Sequence, residues 1–436
     1  MNMLFEGDPQ AVMTELDSIM RDISTHTDPQ ALVNAYGERI QKLAGIESTL
    51  SISRRNLERP WYKITRSWKW DDLDINPWQQ PHLLPRYDHG ILGELIYADK
   101  PQLLNDFKVD PGDPAYEHLA PFRSIFAVPQ YDNGVATNMV LMLRNEVNGF
   151  NPRHAPMTLW MANLFGRSVH ALVMAKQLRE AYAIVDKELK AVAEIQRSLL
   201  PATLPSCECV HLAAHYQTSQ QAGGDYYDLF ELGDDKLGML IADVSGHGTP
   251  AAVLMAITHT LAHAYPGEPA PPSEVLGHLN HKLSDSYTRT PGGFVTAFYG
   301  VFDPDKGTLT YASAGHNPPR LKQGSGRGAG DVIALMGARD LPLGIAPEVR
   351  YHEETVPLKG GDMLVLYTDG ITEARRPNGR GEDGTLLFGE QRLDESLRGA
   401  PGDPEGAIRS IIDAVGRFTD NAPATDDRTI VAAKIK

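Results

Sequence analysis

Cysteine is scarce in this chain, with only Cys207 and Cys209 among 436 residues. Two cysteines alone make a poor zinc site, and a pair this close in sequence seldom forms a structural disulfide. We therefore expect both to be free thiols without a role. This usage of cysteine is typical of a reducing compartment.

The chain also lacks an excess of basic residues, with 41 Lys and Arg against 56 Asp and Glu and a net charge of −15. That balance disfavours nucleic acid and anionic membranes as partners. Long apolar runs are missing too: residues 239–242 and 363–366 are far too short to span a bilayer, and residues 1–10 do not resemble a signal peptide. We expect a soluble cytoplasmic protein with two or three domains.

What the chain does contain is a run of alternating and apolar residues bracketed by aspartates. The pattern predicts a β-hairpin with strands at 226–232 and 237–244. Antiparallel pairing would bring Asp225 and Asp243 to the same end of that hairpin. Adjacent carboxylates stay ionised together only beside a cation, and hard oxygen ligands suit Mg²⁺ or Mn²⁺. The alternative is that both are solvated residues at turn ends.

Small residues and a proline follow Asp243 directly. Gly246 and Gly248 allow the backbone to approach a ligand closely. Thr249 as N-cap and Pro250 in the first turn predict a helix that runs to about residue 264. A helix N-terminus beside a cation site is a natural place for a phosphate group.

Residues 201–436 predict one β-rich domain in which more aspartates lie at strand ends. Beyond the hairpin we expect two helices, at 250–264 and 273–287. Strands are then expected at 293–302, 308–314, 331–335, 349–357, 362–368 and 429–435. This order predicts a sandwich of sheets flanked by helices. Asp369 follows a nearly apolar strand, and Asp426 and Asp427 precede the last strand. A cation site shared with Asp225 and Asp243 explains this recurrence better than coincidence.

Residues 1–175 predict a separate α+β domain. Two amphipathic helices open it, and short strands follow at 49–53, 94–98, 124–129 and 139–144, before a long helix from about residue 155. The order resembles a GAF domain, since residues 140–144 and 150–152 are similar to that family's last strand and the start of its closing helix. The resemblance implies a sensor with an unknown ligand. Two interpretations of Trp61, Trp68, Trp70 and Trp78 stay open, core plugs or the lining of a ligand pocket.

Residues 176–200 predict a helical coiled-coil linker. Apolar residues alternate in spacings of four and three, with Gln196 as the polar exception: Leu178, Tyr182, Val185, Leu189, Val192 and Leu199. The seam favours a parallel homodimer over packing within one chain. Such a helix would also transmit a rearrangement of the sensor to the domain that follows.

The motifs of the C-terminal domain, taken together, resemble the SpoIIE-like branch of the PPM metal-dependent serine/threonine phosphatases. They occur in order at residues 196–201, 223–228, 243–248, 294–297, 314–319, 367–374 and 426–429. The resemblance covers roughly residues 195–436. It implies a β-sandwich whose cleft holds two Mn²⁺ or Mg²⁺ ions.

The resemblance also implies roles for single residues. Asp225 and Asp243 would be ligands, with Asp243 bridging the ions and the carbonyl of Val244 assisting. Asp369 and one of two neighbours, Asp426 rather than Asp427, would complete the second ion's shell. His247 is a candidate general acid for the departing oxygen, with a loop-structuring role as the alternative. His316 is expected to be a turn element.

Together these features predict a sensor-regulated protein phosphatase. Its substrate would be phosphoserine or phosphothreonine on a partner protein, and the resemblance implies a STAS-type anti-sigma-factor antagonist as that partner. Two other functions remain open, a catalytically silent ligand-gated scaffold and a two-metal hydrolase of another phosphoester.

Overall fold

The computed structural model describes residues 8–70, 75, 80–268, 271–286, 293–324, 330–377, 379 and 386–436. The chain divides into two compact units, Met1–Ala183 and Ile184–Lys436. One long helix, α5, contributes residues to both units. In the described part of the chain, no helix combines the length and apolar composition that a membrane crossing requires.

The first unit is a six-stranded antiparallel sheet with helices. Its elements are α1 (Pro9–Thr25), α2 (Pro29–Ala44), β1 (Ser48–Ser53), β2 (Tyr62–Ser67), β3 (Arg86–Tyr87), α3 (Ile91–Tyr97), β4 (Gln102–Leu104), α4 (Tyr116–Leu119), β5 (Ser124–Asp132), β6 (Val135–Arg144) and α5 (Ala155–Ser198). The strands lie in the order β3-β2-β1-β6-β5-β4. The predicted mixture of helices and strands in this region is therefore present.

The two faces of this sheet differ in character. Burial alternates along β1, so that Leu50 and Ile52 enter an apolar core while Ser51 and Ser53 face the other way. One expected strand is wrong, because residues 94–98 belong largely to helix α3. Leu92, Leu95 and Ile96 follow a helical spacing and are all buried, which favours the helix.

The second unit is a sandwich of two five-stranded sheets. Its strands are β7 (Val210–Gln217), β8 (Tyr226–Glu231), β9 (Leu237–Val244), β10 (Val295–Asp303), β11 (Thr308–Ala314), β12 (Arg320–Lys322), β13 (Val332–Ala334), β14 (Glu354–Pro357), β15 (Met363–Tyr367) and β16 (Arg428–Ile435). The sheet orders are β14-β11-β10-β9-β8 and β13-β12-β15-β16-β7. The predicted sandwich is present.

Helices cover both sheets of this sandwich. They are α6 (Thr249–His263), α7 (Pro272–Ser286), α8 (Asp369–Thr372), α9 (Gly389–Arg398) and α10 (Pro404–Phe418). Residues of α6 and α7 share a core with the first sheet, and those of α9 and α10 share one with the outer face of the second. The N-cap of α6 is Gly248, at φ 76°, rather than the expected Thr249, which is already the first helical residue.

Helix α5 leaves part of the predicted heptad seam open. Leu178, Tyr182 and Val185 are exposed, whereas Gln196 is buried at 4% exposure. Just beyond the helix, Cys207 and Cys209 form a disulfide, so the expectation of free thiols is wrong. Their Cα atoms lie 5.3 Å apart, within the range that a disulfide requires, because the chain turns between them.

Candidate active site

The hairpin of β8 and β9 places the first two aspartates. Tyr226 pairs with Ala242 in antiparallel register, so their neighbours Asp225 and Asp243 lie at the same end of the hairpin. The predicted hairpin and the predicted juxtaposition are both present. In the turn at the other end, Asp234 and Asp235 adopt positive φ, a conformation that aspartate tolerates better than most residues.

The second sheet supplies the other aspartates. Tyr367 at the end of β15 pairs with Ile430 of β16, which brings the residue after β15 close to the segment before β16. Asp369 therefore begins α8 beside Asp426 and Asp427. A Cβ on Gly370 would lie 1.9 Å from the backbone oxygen of Asp427, a measure of how closely the two segments pack.

Two threonine hydroxyls join the two sheets at this point. Asp225 Oδ2 accepts hydrogen bonds from Thr368 Oγ1 at 2.7 Å and from Thr429 Oγ1 at 2.6 Å. Sequence analysis assigned neither threonine a role, although both lie within the quoted motifs. These bonds fix the orientation of a carboxylate that is only 1% exposed.

The electrostatics of the site are those of crowded, buried carboxylates. Burial raises the pKa of Asp243, and repulsion from Asp225 and Asp369 raises it further. Burial likewise raises the pKa of Asp225, and it raises that of Asp369 to about 6. The pKa of Asp426 is raised as well, again chiefly by burial. A bound cation would relieve this repulsion and let the carboxylates ionise.

The available donors fit hard divalent cations. All of the clustered side chains offer carboxylate oxygens, the ligands that Mg²⁺ and Mn²⁺ prefer. The backbone carbonyl of Val244 also borders the cluster, because a Cβ on Gly224 would come within 2.9 Å of that oxygen. Glycine at position 224 thus leaves room beside Asp225.

The neighbours Asp426 and Asp427 have different surroundings. Asp427 is 5% exposed, and its carboxylate accepts from the backbone N of Ser219 at 2.7 Å and of Gly224 at 2.7 Å. It therefore anchors the loop before Asp225. Asp426 is the more exposed of the two and interacts electrostatically with Asp243. The geometry favours Asp426 over Asp427 as a cation ligand.

The two histidines of the motifs lie in contrasting positions. His247 is exposed, and its Nδ1 lies 3.1 Å from Gln220 Nε2. His316 is buried, with Nδ1 2.9 Å from Thr296 Oγ1, and burial lowers its pKa to about 4. A neutral, enclosed imidazole is consistent with the expected structural role of His316. His247 is accessible to a substrate, and its contact with Gln220 also ties two loops together.

Gln196 links helix α5 to the loop that precedes Asp225. Its Oε1 accepts from Gly223 N at 3.0 Å, and its Nε2 donates to Gly223 O. This side chain is the polar exception in the heptad seam, and the contact explains why a polar residue occurs there. Sequence analysis included it in a motif but did not identify its partner.

Replacing Gln196 with alanine should weaken both the fold and the site. The change leaves the buried N–H and C=O of Gly223 unpaired, at a cost of about 1–3 kcal/mol in the free energy of unfolding. Urea unfolding of the full chain measures this cost. Glu194→Ala, an exposed change on the same helix, is the matched control and should change stability by less than about 0.5 kcal/mol. Equal effects of the two changes would contradict the assignment.

The metal-free protein should lose stability as the pH rises. Because the folded-state pKa of Asp369 is about 6 and those of Asp225 and Asp243 are also raised, the fold holds protons that the unfolded chain releases above about pH 4. The contribution of these aspartates to stability is thus greatest below that pH and falls as the pH rises through the folded values. Unfolding in EDTA at pH 5 and pH 8 measures the fall, and Asp243→Asn should reduce it. An equal pH dependence in both proteins would contradict this.

The first unit contains a separate feature, a cavity of ≈620 Å³. Its floor is a sheet face that carries both polar and apolar side chains, among them Ser51, Thr65 and Met142, and α5 lines another side with Phe165 and Val169. Basic side chains border it, among them Arg66, which donates to Gln30 Oε1 at 2.9 Å. The tryptophans do not line it in the part of the chain that the structure describes, and Trp78 lies outside that part.

Comparison with known proteins identifies the second unit. The family model of Stage II sporulation protein E (SpoIIE) matches residues 233–436. Protein IcfG of Synechocystis is 30% identical over 235 residues, which are 48% of this chain and 35% of IcfG. Phosphoserine phosphatase RsbU of Bacillus subtilis is 33% identical over 202 residues, which are 46% of this chain and 58% of RsbU. The chain therefore matches about a third of the length of IcfG and somewhat over half of the length of RsbU.

A solved structure supports the fold. The SiaA-PP2C domain of Pseudomonas aeruginosa superposes with a TM-score of 0.50 and 23% identity, covering 59% of this chain and 99% of that domain. The motifs, the sandwich and the family match agree on the same region. Residues 233–436 of this chain are therefore similar to the SpoIIE-like branch of the PPM phosphatase family.

Proposed function

We propose that the protein is a metal-dependent serine/threonine protein phosphatase. The observation that carries the proposal is the convergence of Asp225, Asp243, Asp369 and Asp426 where the edges of the two sheets meet, with the pKa of each raised by burial. Enzyme chemistry also agrees with the name of one relative, the phosphoserine phosphatase RsbU.

In this proposal the cluster holds two Mn²⁺ or Mg²⁺ ions. Asp225 and Asp243 would be ligands, with Asp243 between the ions and the Val244 carbonyl assisting, while Asp369 and Asp426 would complete the set of ligands to the second ion. When bound, such ions supply an activated water and neutralise charge on the phosphoryl oxygens. The protein contributes orientation: Thr368 and Thr429 hold Asp225.

Two further residues have proposed roles at this site. Asp427 keeps the loop at Gly224 in place through its backbone hydrogen bonds. His247, exposed next to the cluster, is the candidate that donates a proton to the departing serine or threonine oxygen. Its contact with Gln220 supports the alternative of a loop-structuring role. The pH profile of His247→Gln distinguishes the two, since only loss of a general acid removes a limb of the profile.

The proposed substrate is phosphoserine or phosphothreonine on a partner protein, such as a STAS-type anti-sigma-factor antagonist. The test compares phosphate release from a phosphoserine peptide with hydrolysis of a cyclic nucleotide, in Mn²⁺ and in EDTA. Release from the peptide in Mn²⁺ only is expected. Hydrolysis of the cyclic nucleotide alone would favour the other two-metal hydrolase, and no reaction with either, by the full chain or by residues 195–436, would favour the silent scaffold.

We also propose that the first unit is a GAF-like sensor. Its cavity of ≈620 Å³ is large enough for a small ligand, and the basic side chains at its border favour an anionic one. Helix α5 continues unbroken from this unit to Ser198, close to Gln196 and its contact with Gly223. The exposure of Leu178 and Val185 supports the further proposal of a homodimer formed along this helix.

Deletion of residues 1–177 should change the turnover of the phosphatase. The deletion removes the cavity and most of the helix that leads to Gln196. The proposed sensor can then no longer affect the loop at Gly223 through the hydrogen bond from Gln196. Steady-state kinetics on the same phosphopeptide measures the effect. Thermal unfolding should first establish that the remaining residues are folded, and unchanged kinetics would then count against coupling between the units.

A further inference from the structure

A second cluster of potential metal ligands lies on the other face of strand β8. Asp228 of β8 and His259 and His263 of α6 place one ligand atom each within 4.8 Å of one another. His263 Nε2 is 2.7 Å from Asp228 Oδ2, and His259 Nδ1 is 3.9 Å from the same oxygen. Side chains alternate along a strand, so Asp228 faces α6 while Asp225 faces the second sheet. The two clusters are therefore separate.

The local geometry is suited to a transition metal. His259 and His263 are four residues apart and share one face of α6, the spacing by which helices present paired imidazoles to zinc. Ligands bonded to zinc at about 2.0–2.2 Å in a tetrahedron lie about 3.3–3.5 Å apart. The separations of 2.7 and 3.9 Å from Asp228 Oδ2 fall on either side of that value, and all three ligand atoms lie within 4.8 Å of one another, so side-chain shifts are needed to bring them to tetrahedral spacing.

Neighbouring groups orient Asp228 and favour a neutral His259. Tyr226 Oη donates to Asp228 Oδ2 at 2.6 Å, and the backbone N of Leu229 donates to Oδ1 at 2.8 Å. Such outer contacts orient a ligating carboxylate. Burial lowers the pKa of His259, and the nearby His263 lowers it further, which favours the neutral imidazole that binds metals. The side chain of His263 is 49% exposed, which leaves an entry path and room for a water as fourth ligand.

We propose that Asp228, His259 and His263 form a binding site for zinc or a similar transition metal, distinct from the carboxylate cluster. A metal here connects β8, which begins next to Asp225, with α6, which follows the loop after Asp243. A bound metal would therefore hold β8 and α6 together, and these two elements adjoin the segments that carry Asp225 and Asp243. The consequence is a higher melting temperature in zinc.

The test is a zinc titration of the full chain in excess Mg²⁺, which occupies hard oxygen sites, followed by competition with a chromophoric chelator. We expect one zinc equivalent to bind. His263→Gln, a change at a half-exposed side chain, should weaken that binding at least about 100-fold and abolish the rise in melting temperature. The double variant His259→Ala/His263→Ala should remove the equivalent altogether. Binding of Co²⁺ at the same site should give the visible absorption of a tetrahedral complex.

Two controls separate this site from other sources of zinc binding. His281→Ala removes an exposed histidine whose Nε2 lies 3.3 Å from Asp285 Oδ2 on α7, a similar pairing that has no third ligand among the described residues, and it should leave binding unchanged. Asp243→Asn should also retain the equivalent, since it alters only the carboxylate cluster. Unchanged zinc affinity in folded His263→Gln, or loss of the equivalent in Asp243→Asn, would overturn the proposal.

Discussion

Replacing Asp243 with asparagine is expected to abolish metal-dependent phosphate release while making the metal-free protein more stable. Asp243 lies between Asp225 and Asp369, and repulsion from both raises its pKa. An amide keeps the shape of the side chain but removes the charge that would hold cations. Loss of the proposed bridging ligand forfeits several kcal/mol of transition-state stabilisation, so we expect a fall in kcat/KM of at least about 100-fold.

The opposite sign of the stability change is the sharper part of this expectation. In EDTA at pH 8 the wild-type carboxylates must either stay protonated or repel one another, and both cost free energy. Asparagine at position 243 carries no charge and needs no proton, so it avoids both costs. The melting temperature in EDTA should therefore rise. Asp234→Asn is the matched control, since it makes the same chemical change at the exposed turn of the same hairpin, where asparagine tolerates the positive φ. A variant that retains full activity, or that is less stable in EDTA, would contradict the assignment of Asp243.

Replacing Gly370 with alanine is expected to damage the site through the backbone. The new methyl group would lie 1.9 Å from the oxygen of Asp427 and 3.3 Å from the carbonyl carbon of Asp426. The segment cannot easily retreat, because Asp427 is held by Ser219 and Gly224. We expect a loss of about 3 kcal/mol in the free energy of unfolding from overpacking. A displacement of Asp426 by about 1 Å should lower activity by about 100-fold.

Gly277→Ala provides the control for this change. Gly277 lies within helix α7, and a Cβ there meets nothing within 4 Å. Alanine is a better helix former than glycine, so the control should be neutral or stabilising by up to about 1 kcal/mol. Urea unfolding and the phosphopeptide assay measure both variants. If Gly370→Ala behaves like the control, the close packing between α8 and the segment before β16 is not needed for the site.

The hairpin and the sandwich could be predicted because they depend on local patterns. Runs of aromatic and aliphatic residues along β8 and β9, with turn residues between them, predict the hairpin, and its antiparallel register places Asp225 and Asp243 at one end. The apolar run of β15 and the short segment before β16 likewise place Asp369 and Asp426 at strand ends. What could not be predicted is how the two sheets meet, since that depends on packing between residues more than a hundred positions apart.

Specific partners were missed for the same reason. The hydroxyls of Thr368 and Thr429, which bind Asp225, leave no periodic signal in the sequence. The pairing of Gln196 with Gly223 could have been suspected only from a polar residue in an apolar seam. Local misjudgements had local causes: the disulfide of Cys207 and Cys209 depends on a turn between them, and residues 94–98 are too short for periodicity to separate helix from strand.

Anomalous diffraction at the manganese edge, from crystals of the protein grown with Mn²⁺, tests the central claim most directly. The account predicts two anomalous peaks within about 2.0–2.3 Å of carboxylate oxygens, with Asp243 touching both, Asp225 touching one, and Asp369 and Asp426 touching the other. It also predicts that Asp427 touches neither, because its oxygens are engaged by Ser219 and Gly224. Absence of peaks at this cluster, or peaks bound by Asp427 and not by Asp243, would contradict the account.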